Sequence, residues 1–220
     1  MPFSIEKSFY FCRVSKSAGM YLMDILEESV PDLVSARKNG FPPVFEGDVN
    51  HGDHIKMCDL ENITSKYPEK FSKFNFDRSS LDAMKKFSVV RNPYERTLSL
   101  FSFMQRNIIT KYTPQNFLED LRDFRKWQGN YHIYQSDFVV GNDLELHVDR
   151  YFKVEDDFLT ELADYLDVEL KLKENTVNVT KNRMGETHEY FQNPEVIELI
   201  QKHFERDFSN FGYSIDDYPR

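Results

Sequence analysis

The chain has 220 residues, 40% of them hydrophobic and 30% charged, with a formal net charge of −9. This is the composition of an ordinary globular protein large enough to bury a core, and its acidity argues against general nucleic-acid binding, which needs an excess of Lys and Arg. The two cysteines, Cys12 and Cys58, are too few for a disulfide framework, and neither has a Cys or His partner at zinc spacing, so no metal site is expected.

Residues 8–14 (Ser-Phe-Tyr-Phe-Cys-Arg-Val) are dense in aromatic and β-favouring side chains. They predict a buried strand in which Cys12 packs as a small hydrophobe. The apolar run is too short for a signal-peptide core and Arg13 interrupts it, so no targeting segment is read there. No apolar stretch reaches membrane-spanning length, and the expected location is cytoplasmic. Residues 15–19 (Ser-Lys-Ser-Ala-Gly) form a small-residue turn. Leu22, Leu26 and Val30 then recur at helical spacing until Pro31.

Residues 31–80 are irregular, punctuated by Gly40, Pro42, Pro43, Gly47 and Gly52, with a short strand at 44–46 and a helix over 56–67. A second strand–loop–helix unit follows at 86–106. Phe87, Ser88, Val89 and Val90 make the strand, Arg91, Asn92 and Pro93 the loop, and residues 94–106 the helix. Further helices are predicted over 114–126, with Phe117, Leu118, Leu121 and Phe124 inward, and over 155–167, after a strand at 148–154. The last helix, 194–208, opens at Asn193 and Pro194, with Ile197, Ile200, Phe204 and Phe208 facing the core. The alternation implies an α/β fold with a mostly parallel sheet, and residues 1–220 read as a single domain.

In such sheets ligands bind beyond the carboxyl ends of the strands, where both polar loops fall. Small residues at 15–19 let backbone N–H groups approach an anion at a helix N-terminus, and Lys16 adds a formal positive charge. Walker A is absent, because Met20 and Tyr21 follow Gly19 where a Lys and a hydroxyl belong. Arg91 offers a planar fork and Ser99, in the following helix, a hydroxyl donor, so both can converge on one anion. Two anion sites on neighbouring strand ends suit a ligand with two separated phosphates.

At these residues a resemblance becomes specific. Residues 11–19 are similar to the 5′-phosphosulfate loop of sulfotransferases that use 3′-phosphoadenosine 5′-phosphosulfate (PAPS), P-K-[TS]-[AG]-G-[TS]. Residues 87–99 resemble the 3′-phosphate element of that family, V-R-[ND]-P-[YF]-x-R-x-x-S. Four further stretches resemble its carbohydrate-type branch: His132, Ile133, Tyr134 and Gln135 (H-x-x-Q); Phe152, Lys153, Val154 and Glu155; Asn178, Val179, Thr180 and Lys181; and residues 208–213. Ser15 stands where the family has Pro, and Met20 where it has Thr or Ser.

The resemblance implies a P-loop-like three-layer fold, a central, mostly parallel sheet flanked by helices, with PAPS as co-substrate, no metal, and a hydroxyl-bearing, carbohydrate acceptor. It implies donor contacts from Arg13, Ser15, Lys16, Ser17, Ala18, Gly19, Met20 and Tyr21 in the first loop, from Arg91 and Ser99 in the second, and from Arg183. Lys16 is expected to stabilise the leaving 5′-phosphate oxygen, whereas Arg96 divides between ligand contact and an internal ion pair. The acceptor hydroxyl needs a base, for which His51 and His54 come before His132 and Glu46. Trp127, Tyr131 and His132 are the expected acceptor contacts. An ATP-dependent kinase of the P-loop type and a non-catalytic nucleotide-binding protein of the same fold are the alternatives.

Overall fold

The computed structural model describes residues 2–39, 54–107, 113–124, 134–140, 143, 145–172 and 189–218. The chain divides into two compact units, Met1–Val90 with Ser136–Thr176, and Arg91–Gln135 with Val177–Arg220.

The first unit carries a four-stranded sheet in the order β1 (Phe3–Ser4), β2 (Phe9–Cys12), β3 (Lys85–Val90), β4 (Arg150–Lys153). The edge strand β1 is antiparallel to β2; β2, β3 and β4 are mutually parallel, with Cys12 opposite Ser88 and Val90 opposite Lys153. Side chains alternate across a pleated sheet, so Phe9, Phe11, Phe87, Val89 and Phe152 share one face. Against them pack Leu22, Met23 and Leu26 of α1 (Gly19–Ser29) and Phe158, Leu162 and Leu166 of the later helix Phe158–Leu166. The rings of Phe11 and Phe87 stack with centroids 5.0 Å apart.

Cys12 turns to the other face, where its thiol donates to the Phe138 carbonyl at 3.0 Å. It is fully buried, and burial pushes the thiol far above its ordinary pKa. It is a packing residue, as its apolar setting in the sequence suggests.

Between β2 and β3 come α2 (Ala36–Asn39), α3 (Met57–Lys66), two 3₁₀ turns (Pro68–Lys70 and Ser72–Phe74) and α4 (Arg78–Ala83). His147, on the segment leading to β4, donates Nδ1–H to Glu61 of α3 (2.6 Å) and Nε2–H to Asp143 (2.7 Å). These two bonds, the one to Glu61 foremost, hold its pKa above the ordinary histidine value.

The second unit is helical. Its core joins Tyr94, Leu98 and Phe101 of α5 (Pro93–Asn107), Phe117, Leu118 and Leu121 of α6 (Pro114–Arg122), and Val196, Ile200, Phe204 and Phe208 of the last helix, Pro194–Phe211. A reciprocal Thr113–Asn116 capping box starts α6. Asn193 caps the last helix through the Glu195 N–H, and Arg122 forks onto Glu195 at 2.7 and 2.6 Å.

With α7 (Ser136–Val139), which precedes β4, the helices in chain order end with α8 (Phe158–Leu166) and α9 (Pro194–Phe211). The result is mixed α/β, a largely parallel four-stranded sheet flanked by helices. Three predicted boundaries shift. Helix 155–167 begins only at Phe158, because Glu155, Asp156 and Asp157 occupy the turn after β4. Helix 114–126 ends at Arg122, although Phe124 still reaches the core. Helix 194–208 runs on to Phe211, where Gly212 adopts a left-handed φ of 60° and the Tyr213 N–H returns to the Phe208 carbonyl at 3.0 Å. Ile197 is only partly buried; Val196 takes the inward position. The strand expected at 44–46 lies outside the described residues. No described helix is long and apolar enough to cross a membrane.

Candidate functional site

The loop after β2 belongs to the first unit. Lys16 (φ 65°) and Ala18 (φ 54°) both have left-handed backbone on either side of Ser17. Non-glycine residues adopt this conformation at a cost, and left-handed residues in a tight turn gather N–H groups into an anion-binding concavity. α1 follows at once. Ala18 at its cap position has no side-chain oxygen to give, and no acidic residue occupies its first turn, so α1's own first turn supplies no counter-charge to the positive end of its dipole.

Arg13 is 6% exposed and lies over this turn. A Cβ added at Gly19 would stand 2.8 Å from Arg13 Nε and 3.0 Å from its Cγ. Glycine is required here by close approach of a buried cationic side chain. Ser17 is buried, Lys16 partly so, while Met20 is 50% exposed and Tyr21 packs at the edge of the sheet cluster. Two basic residues, Arg13 and Lys16, and a helix N-terminus thus fall within one short stretch of chain.

His54 sits beside the same loop. Its Nδ1 is 3.0 Å from the Arg13 carbonyl, and its ring meets Phe138 edge-on at 6.2 Å. A carbonyl oxygen only accepts, so Nδ1 carries the proton. In the neutral ring Nε2 then holds the lone pair, the state a general base requires. His51, the other histidine of that segment, lies outside the described residues, as do Trp127, Tyr131, His132 and Arg183. Among the described residues no group of three His, Cys, Asp or Glu side chains is disposed to hold a metal ion.

The loop after β3 belongs to the second unit. Arg91 Nη2 donates to Glu95 Oε2 at 3.0 Å, one helical turn on. Asn92 is buried. Its Oδ1 accepts the Tyr94 N–H at 2.9 Å, capping α5, and its Nδ2 donates to the Asp217 carbonyl at 3.0 Å. Tyr94 Oη donates to the Ile215 carbonyl at 2.6 Å. Arg96 is buried at 1% exposure, and Ser99 lies half-buried further along α5. The arrangement presents a guanidinium with donors beyond the one that meets Glu95.

A family model for the sulfotransferase family matches residues 3–214, nearly the whole chain. The chain belongs to the sulfotransferase family. No curated protein and no solved structure matches it. Membership in the sulfotransferase family supports transfer of a sulfuryl group from a sulfate donor to a hydroxyl-bearing acceptor as the chain's chemistry.

One contact at Arg91 is not legible in the sequence. Gln135 hydrogen-bonds both backbone groups of Arg91. The available signal was a lone amide side chain ahead of the apolar pair Phe138 and Val139, at the end of the H-x-x-Q segment.

Proposed function

We propose that this sulfotransferase uses PAPS as donor and a saccharide hydroxyl as acceptor, on a P-loop-like sheet. The loop of Ser15, Lys16, Ser17, Ala18 and Gly19 takes the 5′-phosphosulfate, and Arg91 with Ser99 takes the 3′-phosphate. The observation that supports this most is that β2 and β3 are neighbouring parallel strands, and that the chain leaves one directly into the first loop and the other directly into Arg91. Transfer then runs in line. The acceptor oxygen bonds to sulfur as the bond from sulfur to the 5′-phosphate oxygen breaks, Lys16 faces the leaving oxygen, and His54 Nε2 receives the acceptor's proton.

A kinase of the same fold needs a lysine and a hydroxyl after its second loop glycine, and this chain has Met20 and Tyr21 after Gly19. Calorimetric titration with adenosine 3′,5′-bisphosphate in EDTA and with MgATP decides between them. Binding of the bisphosphate without magnesium is expected; tight MgATP binding with none of the bisphosphate sinks the proposal. Turnover of labelled PAPS over a panel of glycan acceptors separates an enzyme from a non-catalytic binder.

A further inference from the structure

The Val90 carbonyl accepts the Val154 N–H at 2.9 Å, and β3 ends there. Arg91 is the next residue, and its backbone N–H and C=O need partners from elsewhere. One side chain supplies both. The Arg91 N–H donates to Gln135 Oε1 and the Arg91 carbonyl accepts from Gln135 Nε2, each at 2.8 Å. The carboxamide stands in for a neighbouring strand. Gln135 is fully buried, and its own backbone N–H donates to Oδ2 of Asp207, also fully buried, at 2.8 Å. Only a carboxamide places an acceptor and a donor side by side on one planar terminus; a glutamate would turn a second oxygen toward the Arg91 carbonyl, and an apolar residue would leave both groups unpaired.

We propose that Gln135 is a positioning residue for the second anion grip. By fixing the backbone of Arg91 from both sides it sets the direction in which the guanidinium leaves the chain, and so determines how well the 3′-phosphate is held. Glu95 restrains the far end of the same side chain at 3.0 Å, so the side chain is held at both ends. Preorganisation of this kind raises affinity without adding a contact. The inference rests on the reading of Arg91 as a 3′-phosphate ligand.

The test compares affinities of the full chain for adenosine 3′,5′-bisphosphate and adenosine 5′-phosphate, which differ only in the group Arg91 is meant to hold. Wild type, Gln135→Met, Arg91→Ala and the double variant are titrated calorimetrically. Wild type is expected to prefer the bisphosphate. Gln135→Met should cut that preference about tenfold, the loss of roughly one hydrogen bond's net effect, and leave affinity for the 5′-phosphate within about twofold. On the Arg91→Ala background it should change nothing further. Gln135→Asn, one methylene short, should give the same selective loss should the Met variant not fold.

A merely structural glutamine would lower both affinities together or the melting temperature alone. Either result, or an unchanged preference, overturns the role of Gln135 and leaves Arg91's standing. A wild-type chain that binds the two nucleotides equally overturns both.

Discussion

In the loop after β2 the shape resides in the backbone: left-handed Lys16 and Ala18, and a glycine whose missing Cβ leaves room for the Arg13 side chain. In the loop after β3 the shape is imposed from outside, by Gln135 on Arg91 and by Asp217 on Asn92. The first loop is thus a local device, whose strain is offset by burial of Ser17 and Arg13. The second depends on residues far along the chain, and its integrity is that of the helical unit that supplies them. A change within the first loop should therefore damage that loop alone, whereas the second should respond to distant substitutions.

The largest expected effects come from removing the two cations. Lys16→Ala should lower kcat by about 10²–10³, the usual loss when a charge-stabilising donor is withdrawn from a transition state. Arg91→Ala should act mainly on donor affinity, raising Kd for the bisphosphate by about 10–10², since on the proposed function it would remove charge-assisted bonds to a ground-state phosphate. Steady-state kinetics with PAPS checks the split. Equal losses in kcat and KM for both variants would remove the distinction between the loops, and normal rates for both would show that the site lies elsewhere.

Gly19→Ala ranks next. The new methyl must displace a buried Arg13 stem, and overpacking of this kind costs about 1–3 kcal/mol. For a chain of this size that is a fall of roughly 2–4 °C in Tm per kcal/mol. Because Arg13 packs against the turn at Gly19, binding of adenosine 5′-phosphate should weaken while the contribution of the 3′-phosphate stays intact. Loss of the 3′ contribution instead would show the two loops to be less independent than their construction suggests.

The same contrast explains what the sequence discloses. The strand–loop–helix units are legible because their signals are local: aromatic residues over Phe9–Cys12, the Leu22 and Leu26 spacing, Pro93 and Pro194 at helix starts. β1, α2, α4 and α7 are too short to carry a period and go unread. The contact of His54 needs the Arg13 carbonyl, and that of Gln135 needs the backbone of Arg91. Neither partner is near in sequence, and nothing in a chain of letters marks which distant backbone group a polar side chain will meet. The H-x-x-Q resemblance includes Gln135 and gives it no role.

The smallest effect separates the units by pH. His147, in the first, is held by Glu61 and Asp143 with its pKa above 6.5. Its contribution to stability is complete below 6.5 and lost as pH rises through the raised folded value. His203, in the second, stacks on Phe124 at 4.2 Å and donates Nε2–H to the Leu121 carbonyl at 3.0 Å. Burial, chiefly, pulls its pKa below 6.5, so its contribution is complete above 6.5 and lost as pH falls through the depressed value. Acidification from pH 8 to 5 should therefore raise hydrogen-exchange protection factors, which correct for the intrinsic pH dependence of exchange, in α3 and the 145–149 segment while lowering them in α6 and α9. His147→Gln should abolish the first trend and His203→Gln the second, each moving Tm by about a degree or two. Protection factors that fall together on acidification would show that the two histidines do not report separately on their units.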